Sequence, residues 1–490
     1  MTTHSSPSTP DTAPRLQGSL GVTSIVLMVV AAAAPLTVVS SNVPLAIALG
    51  NGNGAPYAFI IAAVVLLLFS VGFVAMSPRV TNSGAFFSYV ALGLGRRPGN
   101  ATAAIALVAY TCIQCAVWGF LGVATNSLIA GYFGFDLPWW VYSFLFIAVT
   151  ALLGYRHIEL SAKVLGVALA AEILIVVVYD AVVFATSGGA NVAGSFAPLA
   201  TVFDPGVAAA ITFAIAGFMG FEATVVFRDE ARDPERTLPR ATYISVLLIG
   251  GFYAISGFAL IAAVRPDRAV ALADASINGD GTMLTESMQQ YLGVATGHIV
   301  QVLLITSLFA CALSFHNVIA RYLLAMSQNR LLPARIGAIH VKHRSPSTAS
   351  LTQSISAAVL LLVLVVIGLH PIAQIYGFMA GVAAVGFLLL MILTSVAVWV
   401  YFRGAASGGR DRWRLRIIPA VAALVLVATL VVVLSKFTLV TALPVPVSVV
   451  IAAVPAVAGL AGLLLRGGAD RPGPDDRAPA SRTSPRKEAV

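Results

Sequence analysis

The chain has 490 residues, of which 59% are hydrophobic and only 10% charged, and its mean hydropathy is +0.92. A soluble protein of this length carries about 25% charged residues, so the composition excludes a soluble fold and defines a polytopic membrane protein. The net charge of +9 does not indicate nucleic acid. The basic residues lie in short loops between apolar runs and in the tail, not on one contiguous face.

Residues 1–17 are rich in Ser, Thr and Pro and lack an apolar core, so they read as a disordered cytoplasmic tail and not as a signal peptide. A spanning helix needs about 20 apolar residues. Twelve stretches meet that need approximately: 21–49, 55–76, 101–131, 138–154, 159–185, 205–227, 241–264, 296–325, 348–369, 373–402, 415–434 and 444–465. Residues 466–490, rich in Arg, Pro and Asp, read as a second cytoplasmic tail. The expected organisation is a core over 18–402 holding ten helices, followed by two more over 403–465.

With the N-terminus inside, Arg265, Arg268 and Lys436 are the only Lys or Arg, out of 29, that fall on the outer side. That bias places both termini in the cytoplasm. Trp139, Trp140, Trp399 and Trp413 stand at span ends, as interfacial aromatic residues do. Cys112, Cys115 and Cys311 all lie in apolar runs, which predicts thiols used for helix packing and no disulfide framework.

Two spans depart from the rest, and they stand five helices apart. The first holds Ala31-Ala32-Ala33-Ala34-Pro35-Leu36-Thr37, with a proline at mid-membrane. The sixth holds Gly217-Phe218-Met219-Gly220-Phe221-Glu222 and ends in the charged run Arg228 to Arg236. Unmade backbone hydrogen bonds in hydrocarbon cost several kcal/mol each, and an ionisable side chain adds more. Such breaks persist where they line a cavity, and in matching positions of two halves they mark a transporter binding site. The predicted fold is therefore all-α, with a core of two inverted five-helix repeats and two appended helices. The repeat rests on position alone, since the halves share no alignable identity.

Three stretches carry a family resemblance. Gly217 to Ala223, continuing through Glu230-Ala231-Arg232-Asp233-Pro234-Glu235-Arg236-Thr237-Leu238-Pro239-Arg240-Ala241, resembles the G-x-E and E-x-x-N/D-P-x-R-x-x-P-x-A segments of the amino acid–polyamine–organocation superfamily. The loop expected after the second span, Asn82-Ser83-Gly84-Ala85-Phe86-Phe87-Ser88-Tyr89, is similar to its Gly-Gly-x-Tyr-x-Tyr, with the second glycine and first tyrosine altered. Arg321 to Met326 with Leu331-Leu332-Pro333 resembles the segment closing the eighth helix. The resemblance covers roughly residues 18–465 and implies a permease with a LeuT-like core. The family's Gly-x-Gly at the first break is replaced here by Pro35, Leu36 and Thr37. Proline has no N–H, so Leu36 and Thr37 would have to serve.

An amino acid zwitterion needs an anion cradle, a cation acceptor and a side-chain pocket. Half-helix N-termini supply the first through unpaired N–H groups, here at Leu36-Thr37-Val38. Unpaired carbonyls below that break and from Ala214 to Gly217 supply the second. The candidate substrate-binding residues are Ala34, Pro35, Leu36, Thr37, Ala216, Gly217, Phe218, Met219, Gly220 and Phe221. Glu222 reads as a proton or gating carboxylate, or as a cap on the broken helix.

Glu172 lies at mid-span five, where many relatives in the resembled family carry a lysine. Holding a glutamate neutral at pH 7 costs about 3.7 kcal/mol, and a charge at mid-helix costs about 2.5–3.5 kcal/mol. The near match predicts a carboxyl poised to change protonation state, with hydrogen-bonded packing as the plainer alternative. Asp180, two turns further out, reads as a vestibule residue. Ser307, Cys311 and Ser314 share one face of the eighth span but make a poor sodium site, which favours protons. His316 most simply makes one satisfying hydrogen bond, Gly377 and Gly381 fit close helix packing, and Arg228 to Arg240 reads as a latch of ion pairs.

No metal cluster, nucleotide cradle or catalytic triad spacing is visible, so neither an enzyme nor a cofactor is expected. The expected function is a proton-coupled permease, with a neutral amino acid favoured over a cation. An amino acid/amine exchanger and a non-transporting nutrient sensor on the same fold are the alternatives.

Overall fold

The computed structural model describes residues 20–80, 85–156, 162–226, 231–279, 281–328, 330–338, 346–403 and 412–464. The two expected tails and Arg228 to Glu230 lie outside these residues. Among the described residues the regular structure is helical, apart from one isolated bridge. All twelve predicted stretches contain helix, the first interrupted at Ala34 and the sixth from Phe218 to Glu222. Among the described residues ten helical stretches are long and apolar enough to cross a membrane, or up to eleven if a pair bent by 107°, Gly189–Phe203 with Val207–Gly217, counts as one span. The helix over Trp139–Tyr155 is apolar but shorter.

In chain order the helices are α1 (Val22–Ala33), α2 (Pro35–Ser40), α3 (Asn42–Ala46), α4 (Ala55–Met76), α5 (Ala85–Leu94), α6 (Arg96–Phe133), α7 (Trp139–Arg156), α8 (Ala162–Thr186), α9 (Gly189–Ser195) and α10 (Val207–Gly217). They continue with α11 (Ala223–Val226), α12 (Pro234–Val264), α13 (Ala269–Asn278), α14 (Met283–Leu292), α15 (Val294–Gln328), α16 (Ser347–Val366), α17 (Gly377–Tyr401), α18 (Ile418–Ser435), α19 (Phe437–Thr441) and α20 (Val445–Leu464).

The bundle is built around α6 and α17. In their most apolar windows 83% of residues are buried for α6 and 78% for the span ending in α17, against 22% and 28% for the spans of α18 and α20. At 1.5 Å per residue, the 38 residues of α6 extend about 57 Å, well beyond the hydrocarbon thickness. It packs on α15, α17 and α20 and on its chain neighbours α5 and α7. The outer helices turn Leu247, Ile355, Leu424, Val431 and Val450 outward. That is the reverse of a soluble surface and the arrangement hydrocarbon demands.

Two expectations need correction. The segment read as a loop after the second span is helical from Ala85, burying Phe86 and Tyr89 against Phe73 and Phe387; Asn82 to Gly84 lie outside the described residues. The seventh span starts at Pro234, not near 241. Proline at the first helical position and Glu235 in the first turn suit a helix N-terminus, and the Asp233 carbonyl accepts the N–H groups of Arg236 and Thr237 at 3.0 and 2.7 Å. Of the charged segment, Pro234 to Arg240 is thus helix, not loop, while Ala231 to Asp233 lead into it. Its described ion pair, Arg236–Asp233 at 3.8 Å, is exposed on both sides, which makes it worth about 0–1 kcal/mol. A backbone tie stands beside it: Leu20 bridges Ala231, and Arg232 N–H donates to the Leu20 carbonyl at 3.0 Å. It joins the chain entering α1 to the chain leaving α11.

The three cysteines are free and buried. A Cβ on Gly381 would meet Val440 Cγ1 at 2.7 Å and the Phe437 ring at 3.2 Å, so α17 and α19 touch through a missing side chain. Gly381→Val should therefore destabilise the fold by about 1–3 kcal/mol through overpacking, read as a lower unfolding temperature in detergent. An unchanged temperature would show that α19 moves aside freely.

Candidate functional site

Pro35 cannot continue α1, because its ring would strike the carbonyl four residues back and it has no N–H. It also disfavours helical backbone at the residue before it. Ala34 accordingly adopts φ 45°, ψ 70°, the left-handed region, and its N–H turns back to the Ala31 carbonyl at 3.2 Å. For an alanine this costs about 1–2 kcal/mol. The helix resumes at Pro35. Val38 N–H bonds the Ala34 carbonyl at 3.2 Å, so of the expected cradle Leu36-Thr37-Val38 the third N–H is already paired. Leu36 and Thr37 remain.

The second interruption follows α10. Residues Phe218 to Glu222 form turns, with Gly220 at φ 107°, before α11 resumes at Ala223. Both breaks are buried: Ala34, Pro35, Leu36, Thr37, Ala216, Gly217, Phe218, Met219, Gly220, Phe221 and Glu222 all lie inside. They also pack on each other. A Cβ at Gly217 would lie 3.0 Å from Val38 Cγ1, and one at Gly220 would lie 3.3 Å from the Ala32 carbonyl oxygen. Asn42 donates to the Phe213 carbonyl at 2.8 Å, and Tyr376 donates to Asn42 Oδ1 at 2.6 Å. The Tyr253 hydroxyl lies 3.0 Å from the Ala33 carbonyl and 3.2 Å from that of Gly217. Those are the last residues of α1 and α10.

The aromatic residues of the sixth span divide into two settings. Phe218 meets the edge of Tyr253, whereas Phe221 joins a cluster with Phe69, Phe73 and Phe387. Glu222 accepts from the Tyr110 hydroxyl and, through Oε2, from Gly220 N–H at 2.9 Å. The carboxyl therefore ties the turn to itself and to α6, which is the capping arrangement. Tyr110→Phe should leave that buried carboxyl oxygen without its partner at a cost of about 1–3 kcal/mol. The check is thermal unfolding of the variant; stability equal to the parent would mean the oxygen finds another donor.

Glu172, on α8, is also buried and accepts from Ser307 Oγ at 2.9 Å. Thr37 Oγ1 donates to Ser307 Oγ at 3.3 Å. A three-residue chain thus links the first break to a carboxyl in the fifth span. Cys311 and Ser314 on the same α15 face are outside this chain, the latter half-buried. His316 Nε2 pairs with Ser350 Oγ at 2.8 Å.

Asp180, read as lining a vestibule, lies eight residues along α8 from Glu172. It is buried in this packing, accepting from Ser256 Oγ on α12 at 2.8 Å. The approach of α12 to α8 closes over it.

Sequence reasoning missed Tyr253, Asn42, Tyr376 and Tyr110. Each is a polar group set in an apolar run, a signal that was present but drowned by the stronger anomalies of Pro35 and Glu222. The apolar groove of about 570 Å³ between α4 and α12, lined by Ala63, Leu67, Gly250, Ala254 and Phe258, has no polar partners to orient a zwitterion. The geometry therefore favours the breaks.

A bundle of this apolarity, with two interruptions buried face to face at its centre, is of the multi-pass membrane transporter class. Residues 20–460 match the amino acid permease family, and the chain belongs to it. Among proteins it is similar to are a serine/threonine exchanger from Bacillus subtilis (strain 168), 21% identical over 64% of this chain and 69% of the relative, and a branched-chain amino acid permease from the same strain, 24% identical over 71% and 74%. An uncharacterized transporter from Mycobacterium bovis is 26% identical over 61% of this chain and 64% of its own length.

Proposed function

We propose that this permease is a secondary active importer of a neutral amino acid, driven by protons and working by alternating access in the cell membrane. It would cross twelve times with both termini cytoplasmic, its first ten spans forming two inverted repeats and the last two packing outside. The observation that carries this reading is the meeting of the two breaks, with Thr37, Ser307 and Glu172 leading away from them. The substrate carboxylate would take the Leu36 and Thr37 N–H groups, its ammonium the Ala33 and Gly217 carbonyls, and its side chain the space beside Phe218 and Met219. Because these residues are buried, the bundle must rock open before a substrate enters. Binding at Thr37 then bears on the proton held by Glu172, two groups away, which is how a substrate and a proton become linked.

Purified protein in liposomes should accumulate an amino acid when the outside is made acidic, lose that accumulation with a protonophore, and ignore a sodium gradient. Uptake that follows sodium, or binding with no flux, would overturn the proposal. Likeness to an exchanger favours one second reading, obligatory exchange. It would give counterflow of amino acid with no net uptake under any gradient.

A further inference from the structure

The carbonyls expected to receive the substrate's ammonium already have a partner in this packing. Tyr253, fully buried on α12, directs its hydroxyl at Ala33 O, 3.0 Å away, and at Gly217 O, 3.2 Å away. Each carbonyl ends a half-helix, and the last carbonyls of a helix have no intrahelical donor. A buried carbonyl without a donor is costly, so some group must serve them when no substrate is present. A hydroxyl carries one proton, whereas an ammonium carries three. Tyr253 can satisfy one carbonyl well or share its proton poorly between two; an ammonium satisfies both.

We propose that the Tyr253 hydroxyl occupies the place of the substrate's amine in the empty carrier and is displaced by it. This rests on the reading of the two breaks as the substrate site and adds to it a specific competitor inside the protein. The surroundings suit such a switch. The Tyr253 ring is held edge-on between Phe59 and Phe218, with centroids 5.7 and 5.8 Å away, so movement of the hydroxyl bears directly on Phe218 in the sixth-span break. A Cβ on Gly250, one turn earlier on α12, would lie 3.2 Å from the Phe218 ring, so that ring is also packed closely against the α12 backbone there. Filling the site thus means exchanging one internal donor for a better one and letting the Phe218 ring shift with it. The empty carrier stays closed because its broken ends are joined through Tyr253.

Tyr253→Phe removes the competitor and keeps the ring. Binding is measured on full-length protein with L-serine and L-leucine, and with the amine-free 3-hydroxypropanoate and 4-methylpentanoate. The expected result is that the variant binds the amino acids about five-fold more tightly than the parent, the scale of one net hydrogen bond, with no such gain for the amine-free acids. Equal or weaker amino acid binding by the variant, or an equal gain for the amine-free acids, overturns the proposal.

A second measurement needs no variant. Adding L-serine or L-leucine to the parent protein should produce a tyrosine ultraviolet difference spectrum that the amine-free acids do not; its absence with a bound amino acid also overturns the proposal. If the parent binds no amino acid at all, the reading of the site fails first, and that outcome is distinct from a Tyr253 variant that gains nothing.

Discussion

Replacing Glu172 with glutamine should abolish accumulation driven by a pH gradient while leaving amino acid exchange between the two sides of the membrane largely intact. Glutamine preserves the shape of the side chain and can still accept from Ser307 Oγ, which lies 2.9 Å from the carboxyl in the parent. It cannot take up and release a proton. The Thr37–Ser307–Glu172 chain would therefore survive structurally but carry no proton. With no proton coupled to the substrate, the pH gradient supplies no driving force and the accumulation ratio should fall to about one. Substrate binding, set at the breaks, should change far less. Proton-driven accumulation by Glu172→Gln at the parent's level would assign Glu172 to packing alone and send the search for the coupling group to Glu222 or Asp180.

Gly220→Val should destroy transport and lower stability together. Gly220 sits at φ 107°, a backbone region that a residue with a Cβ rarely enters and a β-branched one avoids most strongly. The added Cβ would also meet the Ala32 carbonyl oxygen at 3.3 Å, and backbone cannot swing aside as a side chain can. Strain of this kind costs about 1–3 kcal/mol per residue, before counting the Gly220 N–H bond to Glu222 that a shifted turn would lose. The measurements are uptake in liposomes and the unfolding temperature in detergent. A Gly220→Val protein with ordinary uptake would mean that the turn between α10 and α11 tolerates rearrangement and does not hold the site's shape.

Much of the architecture could be read from the order of residues, because hydrocarbon imposes a coarse rule. Runs such as Ala55–Met76 and Pro371–Tyr401 contain almost nothing but apolar residues, and nothing else makes such runs necessary. The breaks were legible for the same reason in reverse: Pro35, Gly220 and Glu222 are expensive in an apolar helix and stand out. The charged start of α12 was hidden because Glu235, Arg236 and Arg240 look like loop residues until the helix-starting role of Pro234 is weighed. Long-range pairing was hidden more deeply. α8 is apolar nearly all round, so neither Glu172 nor Asp180 announced which neighbour it faced; Ser307 is 135 positions from Glu172, and Ser256 is 76 from Asp180. Tyr253 shows the limit most clearly, since its two carbonyl partners are 220 and 36 positions away. A tyrosine in an apolar run advertises that it needs an acceptor but not which one. Packing alone decides that.

The most direct test is an experimental structure of the protein with the amino acid that most raises its unfolding temperature. The account predicts ligand density between the two breaks, its carboxylate at the Leu36 and Thr37 N–H groups and its amine at the Ala33 and Gly217 carbonyls, with the Tyr253 hydroxyl moved away. Ligand density elsewhere in the bundle, with Tyr253 still joining the two half-helices, would contradict it.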